Sequence, residues 1–209
     1  MYHLIKKDIL IQKKNLIFSL LYLVLFTILV TKNEIIGLTI AVLAITYLLA
    51  HGASSLEDKN NSDIMLVSLP IKKRLIVLAK YISVYGYAAY AIIICYLMYV
   101  LAHAFNLPIT LQPITTDGLL VVLFSVTLFG AISYPLIFKY GYTKSRTVNM
   151  ILFFILIFAS TTLVDSANID QLIQKWSESE LILFSSLTLL FILALSYSIS
   201  LAFYKKREF

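Results

Sequence analysis

The chain has 209 residues, 60 % of them hydrophobic and 13 % charged, with a mean hydropathy of +0.90; soluble domains are about 45–50 % apolar, so a water-soluble globule is excluded. The net charge of +6 is spread between apolar runs rather than gathered on one face, which excludes a nucleic-acid surface. A single cysteine, Cys95, cannot form an intramolecular disulfide or a paired-cysteine metal site.

In chain order, residues 1–14 place Tyr2, Ile5 and Ile9 at helical spacing with Lys7 and Lys14 roughly opposite. This predicts an interfacial elbow helix; because Leu4, Leu10 and Ile11 fall off that face, the alternative is a cationic tail that only fixes topology. Apolar runs follow at Leu16–Val30, Ile35–Ala50, Tyr81–Phe105, Leu119–Phe138, Val148–Val164 and Leu181–Tyr204. Backbone polar groups in hydrocarbon must be paired within their own segment, so these runs are expected to be helices. Crossing roughly 30 Å of hydrocarbon takes about 20 residues. The first, second and fifth runs fall short, and Asn15, His51 or Asn149 are expected to extend them. No small-residue cleavage site follows the first run, so it is expected to stay as a span. The expectation is an all-α polytopic membrane protein of one domain, with six spans and short loops.

Six spans put both termini on one side. That side holds Lys6, Lys7, Lys13 and Lys14; Lys59, Lys72, Lys73, Arg74 and Lys80; Lys139, Lys144 and Arg146; and Lys205, Lys206 and Arg207. The other keeps only Lys32 and Lys175, beside Glu34, Asp117, Asp165, Asp170, Glu178 and Glu180. Cytoplasmic loops retain Lys and Arg, so both termini are expected to be cytoplasmic.

Catalytic signatures are missing. Gly141-Tyr-Thr-Lys-Ser145 lacks the Gly-Lys pair and the upstream glycine of a phosphate-binding loop. His3, His51 and His103 have no second ligand at metal spacing, so neither a metal site nor a cofactor is expected. No charged residue falls mid-span, which argues against an intramembrane enzyme and against a proton relay.

The segment from Ser54 to Lys80 is the most structured connection. Ser62 can cap a short helix over Asp63–Ser68, with Asp63 favourable at its positive end. Pro70 disfavours helix at Leu69 and suits the first turn of a new helix running through Ile71-Lys-Lys-Arg74. The segment would then dock a soluble partner; the alternative is a loop resting on anionic lipid headgroups.

Two stretches carry a resemblance. Glu57-Asp58, then Leu66-Val-Ser-Leu-Pro-Ile-Lys-Lys-Arg74 and Val77-Leu-Ala-Lys-Tyr81, together with Tyr134-Pro-Leu-Ile-Phe-Lys-Tyr-Gly-Tyr-Thr-Lys-Ser-Arg146, resemble small ABC-2 type transporter permeases. Lys72 stands where that family often has a small polar residue. Within the family the chain looks most like permeases of bacterial exporters for amphipathic peptides, such as phenol-soluble modulin exporters. The resemblance implies a non-catalytic permease of the bacterial cytoplasmic membrane, paired with a second permease and with cytosolic ATPase subunits that bind the ATP. It implies an ATPase-coupling segment over 57–74 built on Glu57, Asp58, Asp63, Leu66, Leu69 and Pro70. Tyr142, Lys144 and Arg146 would make a smaller second contact.

In the third span Tyr81, Tyr85, Tyr96, Tyr99 and His103 fall within about 60° of one another at helical spacing, while Tyr87 and Tyr90 point away. The stripe is expected to line a substrate path, since tyrosines offer apolar area and hydrogen bonds without fixed charge; the alternative is interfacial aromatic belts and packing. Ser185, Ser196 and Ser200 share a face of the sixth span, expected to allow close helix packing. The runner-up function is the substrate-capture membrane subunit of a vitamin-type importer. Such subunits dock through small residues in their first span, and Leu16–Val30 has no Ala or Gly.

Overall fold

The computed structural model describes residues 2–13, 15–21, 34–60, 62–68, 70–105, 115–164 and 178–206, and its secondary structure is α-helical. The helices are α1 (Tyr2–Ile11), α2 (Glu34–Lys59), α3 (Ser62–Ser68), α4 (Lys73–Ala104), α5 (Thr116–Tyr140), α6 (Tyr142–Val164) and α7 (Glu178–Lys206). Among the described residues, α2, α4, α5, α6 and α7 are long and apolar enough to cross a membrane. The expected first span is helical over residues 15–21. The rest of it lies outside the described residues, so five of the six expected spans are described in full.

Two expected boundaries move. α2 continues past Ala50 to Lys59, and its 26 residues reach about 39 Å, well beyond a hydrocarbon core of about 30 Å. α4 begins at Lys73 rather than at Pro70: residues 70–72 form a bend and extended backbone, with Lys72 at ψ 127° as N-cap. Polar side chains sit at these helix ends because packing on neighbouring helices supplies their partners. His51 and Asn149 fall inside α2 and α6, extending those spans as expected.

The bundle is built around α2, which packs on α4, α5 and α6, while α7 packs on α5 and α4. The run Ile40–Ile45, then Leu49, Ala50 and Ala53, is buried, and its alanines allow close helix approach. α6 and α7 instead present Ile151, Phe154, Phe158, Leu187, Leu190 and Phe191 outward, as a lipid-facing side requires. α5 and α6 form a tight hairpin joined by the single residue Gly141, at φ 80° and ψ 166°. That backbone region is essentially restricted to glycine.

α1 lies against α4 and α2, followed by a turn at Gln12. Its side toward the bundle carries buried polar residues. Asp8 and Gln12 are buried while Ile9 and Leu10 are exposed, because the inward side meets charged and amide partners rather than an apolar core.

Candidate functional site

The N-terminal helix, the end of α2 and the start of α4 converge on a buried ion cluster. Glu57, 6 % exposed, receives Lys7 Nζ on Oε1 at 2.5 Å and Lys80 Nζ on Oε2. Lys80 also reaches Asp8 Oδ1 at 3.4 Å, and Lys7 lies 3.5 Å from the same atom. Ser83 Oγ donates to Asp8 Oδ2 at 3.0 Å. Two cations and two anions make the cluster neutral, and each carboxylate is met by bonded partners, the condition under which buried charge is tolerated. Burial nevertheless pushes the Asp8 carboxyl above the ordinary carboxylate range, against the pull of Lys80.

A second junction lies beside it. Asp58, one residue beyond Glu57, accepts a hydrogen bond from Thr143 Oγ1 on the first turn of α6. A cleft of about 30 Å³ between them is lined by Ser54, Glu57, Asp58, Lys80, Tyr134 and Tyr142 among others. That volume holds a water or two, not a transport substrate. Tyr142 also faces His51, with ring centroids 5.8 Å apart. The two stretches expected to contact an ATPase, after the second span and after the fourth, therefore meet on one end of the bundle.

α3 hangs from this end. Leu66 is buried and anchors it, whereas Met65 is 67 % exposed and Ser68 and Pro70 are exposed as well. Lys144 and Arg146, in the first turns of α6, are exposed as well. Leu69 and the side chain of Asp63 lie outside the described residues. The expected coupling set thus divides. Pro70, Lys144 and Arg146 offer surface, Asp58 and Tyr142 are half-buried, and Glu57 and Leu66 are committed inward; exposed Met65 was not among the expected residues.

The tyrosine stripe divides in the same way. Tyr81 is buried, bonded to Ser196 and Ser200 of α7, and Tyr85 bonds Thr127 of α5 at 2.9 Å. Tyr96 is 55 % exposed. His103 is also exposed, and half-buried Tyr99 lies edge-on to it with centroids 6.3 Å apart. Tyr90, on the other side of α4, donates to Leu16 O at 3.0 Å, so it holds the segment after α1. Ser196 and Ser200 make specific bonds where close packing alone was expected, while Ser185 donates to its own helix at Ile182 O.

Sequence reading missed the cluster of Lys7, Asp8, Lys80 and Ser83. The available signal was an acid at position 8 within a run of lysines, unexplained by a purely cationic topology segment.

Among the described residues, five helices long and apolar enough to cross a membrane enclose one short helix, α3, between α2 and α4. Residues 3–205 match the model of the ABC-2 family transporter protein family, and the chain belongs to that family. It is accordingly a membrane-embedded permease component of an ABC transporter, of a kind that works with an ATPase subunit. No curated protein and no solved structure matches the chain.

Proposed function

We propose that the chain is the permease subunit of a bacterial ABC exporter for amphipathic peptides, with both termini cytoplasmic and α3 as its ATPase-docking element. The observation that carries this reading is the setting of α3. It is a seven-residue helix between α2 and α4, anchored by buried Leu66 and presenting Met65 outward, while Lys144 and Arg146 are exposed on the turn of α6 that Thr143 ties to Asp58 of α2. An exposed apolar side chain on a short surface helix is one that a soluble partner can bury. The charge partition between loops supports placing this end in the cytoplasm. Family membership supports an ATPase partner, and a second permease, identical or related, would complete the path. The peptide substrate is supported by the resemblance to amphipathic-peptide exporters and by spans that offer tyrosines but no mid-span charge. A photo-crosslinking residue at Met65 should capture an ATP-binding subunit in membranes, and in a separate variant Met65→Asp should abolish co-purification of that subunit while leaving membrane insertion unchanged. Cross-linking at Met65 to lipid alone would leave α3 as a headgroup-resting loop.

A further inference from the structure

α5 carries Pro135 in its interior. Proline has no amide hydrogen, so the carbonyl one turn back, that of Ala131, loses its helical donor. Bare backbone carbonyls are strongly disfavoured inside a membrane protein. Here the carbonyl is covered from another helix: Ser196 Oγ of α7 donates to Ala131 O at 2.6 Å, with both residues buried.

Counting hydrogens fixes the direction of the neighbouring bonds. A serine or tyrosine hydroxyl carries one hydrogen, and that of Ser196 is used on Ala131. The 2.5 Å contact between Tyr81 Oη and Ser196 Oγ must therefore be donated by Tyr81. With that hydrogen used, the 2.9 Å contact of Tyr81 Oη with Ser200 Oγ is donated by Ser200. The chain runs from Ser200 to Tyr81 to Ser196 to the backbone of α5.

We propose that Ser196 stands in for the amide that Pro135 lacks, and so fastens a hinge in α5 to α7, with Tyr81 as the residue that positions its hydroxyl. Beyond Pro135, α5 runs only to Tyr140 before Gly141 turns the chain into Tyr142–Arg146. The fastener therefore lies between the body of α5 and the surface at the α3 end. It sets the angle at which that surface is carried and makes α5 and α7 move together. The inference is independent of whether α3 docks an ATPase.

A thermal-unfolding cycle on the purified full chain tests it. Ser196→Ala should lower the midpoint by about 5 °C, and Ser196→Thr, which keeps the hydroxyl, should retain the wild-type value. In a Pro135→Ala background the new amide can serve Ala131, and Tyr81 can turn its hydrogen to Ser200. There Ser196→Ala should cost about 1 °C or less. Tyr81→Phe removes the bond that orients Ser196 and the acceptor of Ser200 but leaves Ser196 free to donate to Ala131, and should fall between. Equal losses from Ser196→Ala in both backgrounds would overturn the proposal, because Ser196 would then act by packing alone. The hinge is read separately by spin labels at Lys144 and Ala202, in a Cys95→Ala background. Their distance distribution should broaden with Ser196→Ala and narrow again when Pro135→Ala is added; no broadening would refute the hinge.

Discussion

Glu57→Gln is the most informative single perturbation of the ion cluster. It removes the charge that Lys7 and Lys80 share while keeping the shape of the side chain. Lys80, whose side chain is 12 % exposed, would be left with Asp8 at 3.4 Å as its only acid, and Lys7, 29 % exposed, would relax toward solvent. Breaking a buried ion pair from one side costs about 3–5 kcal/mol. The lower end, about 3 kcal/mol, applies because Asp8 remains and Lys7 is partly screened. For a chain of this length each kcal/mol moves the melting midpoint by about 2–4 °C, so a drop of about 6–12 °C is expected. Fluorescence-detected size-exclusion of the detergent-solubilised protein after stepwise heating measures it. Replacing the pair together, Glu57→Met with Lys80→Met, should cost no more than either single change, because no unpaired charge is left. Two results would refute the reasoning: a double variant whose loss equals the sum of the singles, or a Glu57→Gln variant with an unchanged midpoint that fails only to hold an ATPase. The second would make Glu57 a docking residue despite its burial.

Three further outcomes follow from local geometry. Gly141→Ala should destabilise by about 1–3 kcal/mol, since φ 80° with ψ 166° is costly for any residue bearing a Cβ; an unchanged melting curve would mean the α5–α6 turn can rearrange. Gly52→Ala would place a Cβ 2.7 Å from Nε2 of fully buried Gln12, and should cost about 1–3 kcal/mol by overpacking. Adding Gln12→Ala should recover most of that loss, and no recovery would exclude the clash. Folding raises the pKa of Asp8, so the folded state favours its protonated form. Its contribution is present at low pH and is lost as pH rises through the ordinary carboxylate range toward the folded value. Asp8→Asn should therefore flatten this part of the curve of melting midpoint against pH, and parallel curves for variant and wild type would show that Asp8 does not titrate there.

The membrane class, the helical fold and the short helix α3 between α2 and α4 are legible in the sequence because each rests on local physics. Apolar runs of spanning length must be helices in lipid, Pro70 stops a short helix just before it, and the positions of Lys and Arg record an expected topology without any tertiary contact. Tertiary structure alone decided which polar residues face inward. Glu57 and Asp58 are adjacent in sequence, yet one is sealed between two lysines and the other bonds Thr143 on α6. Helical spacing put Tyr81 and Tyr96 on one stripe, but α7 packs over the first and leaves the second exposed. Periodicity gives a residue's angle around its own helix and says nothing of where the neighbouring helix begins or ends along it. Pro135 marks a missing donor that any reader of the sequence can find. That Ser196, 61 positions later, supplies the replacement depends on how α5 and α7 cross, which no local signal encodes.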